Sequence, residues 1–293
     1  MRLDTKLFIF VIFGFLIFYY NQSYFFENNF SDKLILFLVP LIWPGLAHGS
    51  LDVLIAKKLK IIITKNQLYF FILGYLSISL FIVLLWIITP NLSLSMFLII
   101  SAVHFGISDT IQKKNFFYTE IFFRGFVPIS TPIYFYNEEV KFIFSRLNAD
   151  EIFINNLIIY NDIFFIILIS LLIIFLFFQI INIKKNNFDT FIEVQLIIFT
   201  FYFFEPFTAF CLYFCFFHSL RHLLIEKETL NISFMKLIVS TIPITLISTI
   251  GISLLYFFIL QDNLNYLSLI FISLSALTVP HMLLINKYRI PKN

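Results

Sequence analysis

Long apolar stretches separated by short polar segments dominate this chain. Most of them approach the twenty or so residues that cross a bilayer as an α-helix. There are ten, approximately at 7–21, 34–56, 68–89, 92–112, 116–136, 161–183, 189–204, 207–225, 236–260 and 264–286. The pattern predicts an all-α, polytopic integral membrane helical bundle of about ten transmembrane helices. Residues 1–293 are expected to form a single multi-pass transmembrane domain.

Prolines and one polar stretch interrupt this pattern. Pro128 and Pro132 fall inside the fifth segment, which we therefore expect to be kinked or only partly spanning. The seventh segment is short, and its helix should break just before Pro206. Residues 137–160 are predicted to form the one substantial loop, and the apolar part at 152–160 could lie at the membrane interface.

Composition narrows the class of protein. The chain is 60% hydrophobic and 13% charged, whereas about a quarter of the residues of a soluble domain are charged. Its net charge of +3 is small and sits in short loops. This combination indicates an integral membrane protein and argues against nucleic acid as a partner.

The distribution of Lys and Arg predicts the orientation. Fifteen of the eighteen cations in tails and loops fall on the side that holds both termini, which is the asymmetry expected of a cytoplasmic face. Leu7 to Tyr20 should be a retained first span, because no small-residue cleavage site follows it. We expect a multi-pass protein of the inner (plasma) membrane with both termini in the cytoplasm.

All five histidines lie in apolar segments, each shortly before a basic residue. They precede the next lysine by five to nine residues, which corresponds to about 7–14 Å along a helix. Given the predicted orientation, they fall in one layer of the cytoplasmic half of the membrane. The five are His48, His104, His218, His222 and His281. An imidazole is rare in hydrocarbon without a partner or a task, so one shared metal site is the favoured interpretation.

His218 and His222 form the sharpest local motif. Residues four apart share a helix face, so both rings can reach one ion. Neutral imidazole suits iron, copper, zinc and nickel, and open positions on a histidine-held Fe(II) would allow O2 to bind. His281, which follows Pro280, is a ligand, a hydrogen-bond partner of a ligand, or a wall of the site.

Several carboxylates could support these histidines. Asp52 could accept the second N–H of a ligand histidine on its own or a neighbouring helix; the alternative is that it caps the helix or neutralises nearby lysines. Asp109 need not serve His104, because it lies on another part of that helix. Arg221 could bind Asp52, Asp109 or Glu193, or extend to the interface.

Two further groups on single helices are less specific. Glu120 and Arg124, four residues apart, are predicted to be a structural pair. Cys215 is within reach of an ion held by His218 and His222, whereas Cys211 is too far along the axis. For both cysteines, packing as small apolar residues is the favoured interpretation.

Gly45 and Gly49 lie four residues apart in the second segment. They would let another helix approach closely.

The ordered set of these motifs resembles the Brp/Blh family of membrane-embedded β-carotene 15,15'-dioxygenases, which are associated with microbial rhodopsins. The resemblance extends over nearly the whole chain. The matching residues are His48-Gly49 with Asp52, His104-Phe105-Gly106 with Asp109, Glu120 with Arg124-Gly125 and Pro128, His218-Ser219 with Arg221-His222, and Pro280-His281.

The resemblance implies an Fe(2+) enzyme that splits the central double bond of β-carotene with O2 into two all-trans-retinal molecules. It implies His48, His104, His218 and His222 as the metal ligands and catalytic residues, with the role of His281 open. It also implies that the lipid bilayer delivers β-carotene and that a microbial rhodopsin receives the product.

Two other classes of protein remain alternatives. A metal-ion transporter would need carboxylates through both halves of the membrane, yet the outer halves of the segments hold few. A haem-binding membrane protein usually places paired histidines at two depths, whereas these occupy one predicted layer. A fatty-acid desaturase would need about eight histidines, and a zinc intramembrane protease would need an HExxH motif, which the chain lacks.

Overall fold

A computed structural model describes residues 1–21, 30–110, 116–181, 185–255, 257 and 266–289. All regular structure in these residues is helical. The helices are α1 (Leu3–Asn21), α2 (Phe30–Pro40), α3 (Asp52–Lys58), α4 (Lys65–Ile88), α5 (Pro90–Asp109), α6 (Phe117–Phe135), α7 (Asn137–Arg146), α8 (Glu151–Ile181), α9 (Lys185–Phe203), α10 (Pro206–Tyr213), α11 (Leu220–Leu230), α12 (Phe234–Leu255) and α13 (Tyr266–Arg289). The predicted segment ends at 111–112, 182–183, 258–260 and 264–265 lie outside the described residues.

The predicted helical membrane bundle is confirmed. Within the described ranges, eight helical stretches are long and apolar enough to cross a membrane. The fifth and seventh predicted segments, which correspond to α6 and α9, are not among the eight. The count of about ten spans therefore stays a prediction.

The predicted loop at 137–160 is wrong. Residues 137–146 form α7, and α8 begins at Glu151 and continues for 31 residues. Asp150, which precedes α8, has a partner outside this stretch: its backbone N–H donates a 2.9 Å hydrogen bond to Oδ1 of Asn91 in α5. Because this partner lies 59 residues away in the chain, the sequence pattern alone could not reveal it.

The prolines have different consequences. The break predicted before Pro206 is confirmed, since α9 ends at Phe203 and Pro206 opens α10, where its missing N–H costs nothing. Pro128 and Pro132, in contrast, lie within one continuous helix, α6.

The second apolar segment is not a single helix. Residues 41–51 form a π-helical turn followed by a 3-10 turn between α2 and α3, with Trp43 in an extended conformation (φ −141°, ψ 116°). Such irregular backbone is tolerated at membrane depth where protein buries it. His48 lies in this break and is buried. A second π-helical turn, at 214–219, joins α10 to α11 and contains His218.

Two glycines allow α5 and α6 to pack with their backbones in contact. A Cβ atom on Gly106 would lie 2.2 Å from the carbonyl oxygen of Ile121, and one on Gly125 would lie 2.1 Å from that of Ala102. Small residues permit such close approach in membrane helices. The contact matters for the site because α5 carries His104 and Asp109, while α6 carries Glu120 and Arg124.

Adding one methyl group at this contact should force the two helices apart. We expect Gly125→Ala to destabilise the protein by about 1–3 kcal/mol, the usual cost of overpacking. The measurement is the melting temperature of the detergent-solubilised protein. Gly74→Ala is the matched control, because a Cβ on Gly74 of α4 meets nothing within 4 Å. Equal melting temperatures for the two variants would contradict the close approach.

Candidate metal centre

The structure brings all five histidine side chains into one buried cluster. Their exposed fractions range from 0 to 6%. Ring centroids are 5.0 Å apart for His48 and His281, 5.0 Å for His104 and His218, and 4.9 Å for His222 and His281. The side chains come from residues 46–51, α5, the π-helical turn at 214–219, α11 and α13. Four regions that lie far apart in the chain therefore meet at one point, as the predicted common depth requires.

His48 is oriented by the break in its own segment. Its Nδ1 contacts the carbonyl oxygen of Gly45 and lies 3.4 Å from Oγ of Ser219. A Cβ on Gly45 would lie 3.1 Å from the carbonyl oxygen of Pro40, so glycine avoids crowding within this broken segment, while its distances of 3.4 Å to Phe214 and 3.6 Å to Cys215 are ordinary contacts. A Cβ on Gly49 would lie 3.8 Å from Nδ1 of His281, which is an ordinary contact, so the fold does not require glycine at this position.

His218 is held by Asp109. Its Nδ1 lies 3.1 Å from Oδ1 of Asp109, and Tyr213 donates a 2.7 Å hydrogen bond to Oδ2 of the same carboxylate. The carboxylate fixes the proton on Nδ1, which leaves Nε2 of His218 with its lone pair. Asp109 thus serves His218 rather than His104. The contribution of Tyr213 had no signal in the sequence.

Asp52 makes the corresponding contact with His281. Nδ1 of His281 lies 2.8 Å from Oδ1 of Asp52, and Tyr75 donates a 3.1 Å hydrogen bond to Oδ2. Asp52 is 3% exposed, whereas Lys57 and Lys58 are exposed, which favours the histidine partner over the lysine alternative. Nε2 of His281 is buried and has no hydrogen-bond partner among the described residues.

Glu226 is a partner that the sequence reasoning missed. Its Oε1 lies 3.1 Å from Nε2 of His222, and both side chains are fully buried. The signal was available, because Glu226 follows His222 by four residues in α11 and so shares its helix face.

Ring nitrogens of three of the histidines, His48, His104 and His218, are close enough together to hold one metal ion, whereas His222 and His281 do not belong to this group. Nε2 of His218 and Nε2 of His104 are 3.2 Å apart, which is about the separation of two neighbouring ligands that each lie about 2.1 Å from one ion. One ring nitrogen from each of His48, His104 and His218 lies within 4.8 Å of the others. The carboxylates behind His218 and His281 are the partners that metal-bound imidazoles usually have. The roles of the individual histidines stay predictions.

A buried network of ion pairs lies next to the histidine cluster. Glu193 of α9 pairs with Arg124 at 2.7 Å and with Arg221 at 2.6 Å, and Arg124 also pairs with Glu120 at 2.6 Å. Arg221 further binds Asp4 of α1. The Glu120–Arg124 contact agrees with the predicted structural pair, while the sequence reasoning missed Asp4.

Arg221 connects the network to Asp109, the partner of His218. Its Nη1 donates a 3.0 Å hydrogen bond to the backbone carbonyl of Asp109, and its guanidinium lies 4.1 Å from the ring centroid of Phe217. The sequence offered three carboxylates as partners of Arg221. Its guanidinium forms an ion pair with the carboxylate of Glu193, whereas it contacts only the backbone of Asp109. The two cysteines are buried among apolar residues.

An apolar cavity of about 340 Å³ opens beside the histidines. It lies between residues 46–53, α4, α12 and α13, and we call it the proximal cavity. His48 and His281 form part of its wall together with Asp52 and Tyr75. Leu76 and Ile247, which also line it, are 61% and 69% exposed. Their exposure places a mouth of the cavity on the apolar outer surface of the bundle, between α4 and α12.

Comparisons with known proteins identify a family and a relative that this chain resembles. A family profile described as Beta-carotene 15,15'-dioxygenase matches residues 39–289. A curated protein named Beta-carotene 15,15'-dioxygenase, from Uncultured marine bacterium 66A03, is 31% identical over 266 residues, covering 85% of this chain and 91% of that protein. No solved structure matches significantly.

Removing one member of the buried ion network should be costly. Arg124→Met would leave Glu120 and Glu193 short of a counter-charge, and breaking such a pair typically costs about 3–5 kcal/mol. We expect a clear fall in melting temperature in detergent. Lys141→Met is the control, because its pair with Glu138 is exposed and should contribute about 0–1 kcal/mol. Similar melting temperatures for both variants would contradict a stabilising network.

Proposed function

The chain belongs to the β-carotene 15,15'-dioxygenase family, and from this premise we propose that it cleaves the central double bond of β-carotene with O2 into two all-trans-retinal molecules. The observation that carries the proposal is the opening of the buried histidine cluster into an apolar cavity with a mouth on the surface that faces lipid. A hydrocarbon substrate dissolves in the bilayer and could reach the histidines without crossing water.

We propose Fe(2+) as the metal, held by His48, His104, His218 and His222. The all-imidazole donor set is compatible with iron, although it would also suit copper or zinc. The unpartnered Nε2 of His281 makes this residue a candidate for a further ligand. When bound, the iron would supply a site that binds and activates O2.

The overall reaction needs no other reactant. One carbon–carbon double bond and the O–O bond break, and two carbonyl groups form, so each retinal receives one oxygen atom. Electrons and atoms balance without an external reductant. This stoichiometry distinguishes the proposed dioxygenase from an oxygenase that releases one oxygen atom as water.

The protein's own side chains would hold the reactants in place. The proximal cavity would keep the polyene extended beside His48 and His281 and exclude water from the reacting carbons. Asp52 and Asp109 would keep the protons of His281 and His218 on Nδ1, so that each Nε2 faces the centre. Because several helices contribute these groups, their relative positions would be fixed before the substrate arrives.

We also propose that both termini lie in the cytoplasm, that the protein resides in the plasma membrane, and that a microbial rhodopsin receives the retinal. The charge asymmetry supports the first of these proposals. A metal transporter or a haem protein remains the alternative class, and neither would produce retinal.

Expression in a bacterium that accumulates β-carotene tests the activity directly. We expect the orange colour to fade and retinal to appear in extracts analysed by chromatography, with two retinal molecules formed for each β-carotene lost. Cells carrying the empty vector provide the control. Unchanged β-carotene in cells that contain the inserted protein would refute the proposed reaction.

Metal analysis of purified variants tests the ligand set. We expect one iron per wild-type chain, and a His218→Ala, His222→Ala double variant should lose it because two neighbouring ligands are gone. His281→Ala is the informative single variant: lost iron would make it a ligand, whereas retained iron with altered activity would make it a wall or support. Full iron occupancy in the double variant would exclude the assignment.

Asp52→Asn tests the support of His281. The substitution keeps the shape and removes the charge, and changes of this kind typically cost about 10–100-fold in metal affinity or activity. We expect a higher Fe(2+) concentration for half-maximal retinal yield. Asp150→Asn is the control, because Asp150 is exposed at the start of α8. If retinal yield depended on Fe(2+) concentration in the same way for Asp52→Asn and wild type, Asp52 would have no role in supporting the metal centre.

A further inference from the structure

A second apolar cavity lies next to the proximal cavity. It has a volume of about 210 Å³ and lies between the segment that ends at Leu46, α12 and α13; we call it the distal cavity. Leu46 and Leu274 line both cavities. The two spaces therefore adjoin, with this pair of side chains between them.

The distal cavity extends in one direction away from the histidines. Along α13, Leu274 precedes His281 by seven residues and Leu269 by twelve, which corresponds to about 10 and 18 Å. Leu269 lines the distal cavity. Towards the other end of the bundle, the proximal cavity is lined as far as Val53, only five residues, or about 9 Å, beyond His48. Long apolar space thus lies on one side of the centre.

The proposed substrate has a matching requirement. Cleavage at the central bond places an equally long half on each side of the reacting carbons. A half directed along α13 would pass between Leu46 and Leu274 and bring its end ring into the distal cavity. The opposite half would point to the mouth between Leu76 and Ile247.

A polar group in the distal cavity adds a second, independent observation. Ser273 lines this cavity and is 5% exposed, and its Oγ has no hydrogen-bond partner among the described residues. A buried hydroxyl without a partner is costly in an apolar setting. A ligand that carries a hydroxyl group at this depth would remove that cost.

We propose that the distal cavity is the binding site for one end ring of the carotenoid, and that Ser273 makes it receptive to a hydroxylated ring. The proposal rests on the proposed β-carotene cleavage. The enzyme would select carotenoids by chain length through the distal cavity, which the substrate enters between Leu46 and Leu274. Ser273 would allow the cavity to accept an end ring that carries a hydroxyl group.

Filling the distal cavity tests the length selection. Ser273→Trp should lower kcat/KM for β-carotene by about tenfold or more relative to a shortened apocarotenoid that keeps the central bond and one complete half; a crowded hydrophobic pocket discriminates by about 10–200-fold. Ile250→Trp is the control, because Ile250 of α12 is 58% exposed and lies outside the lining of both cavities. Thr249→Phe fills the distal cavity from the opposite wall and carries the test if the Trp variant does not fold.

Removing the hydroxyl tests the polar contact. Ser273→Ala should lower the ratio of kcat/KM for a carotenoid with one hydroxyl on each end ring to that for β-carotene by about three- to tenfold, the range of one hydrogen bond. An unchanged ratio would overturn the role of Ser273. Unchanged discrimination by length in both filled variants would overturn the binding site itself. If wild type releases no retinal from β-carotene, the proposed function has failed, which is a separate outcome.

Discussion

The arrangement of this bundle depends on the cost of placing imidazoles in an apolar interior. Each of these rings needs a hydrogen-bond partner, and the partners of His218 and His281 are carboxylates on other helices. Satisfying a ring therefore also joins two helices. His48 obtains its partner differently, because the break at residues 41–51 exposes the carbonyl oxygen of Gly45 to it. The irregular backbone and the buried acids are two solutions to one constraint.

The carboxylates create a second requirement, since buried acids need positive charge nearby. Arg124 and Arg221 provide it for Glu120 and Glu193, and Glu193 links the two arginines. Asp52 is paired with His281 instead. Arg221 also binds the backbone carbonyl of Asp109, the last residue of α5. The side chain of the same residue contacts His218, so Asp109 joins the ion network to the histidine cluster. Asp4, which belongs to this network, lies before the first residue of the family match. The first helix therefore adds to the support of a centre whose histidines all lie within that match.

The cavities give the centre two sides with different surroundings. His104 and His218 face the packed interior, where Phe105 lies with its ring centroid 4.7 Å from that of His218. His48 and His281 face the proximal cavity and its mouth on the surface of the bundle. The separation suits an apolar substrate that arrives from lipid, because only one side of the centre must be open. In the reaction proposed here, the polyene would meet the centre on that side.

The sequence by itself determined the membrane class, the helical architecture and the set of chemically significant histidines, because hydropathy and charge are carried by each segment separately. Helix rise and the lysines that follow even predicted a common depth for His48 and His281. Only the tertiary structure decided that Asp52 contacts His281 and Asp109 contacts His218, since the azimuth of one helix relative to another is set by packing. The same reason explains why Tyr75 escaped prediction: its partners, Asp52 and the carbonyl oxygen of Leu277, belong to other helices and meet it only when the helices pack together.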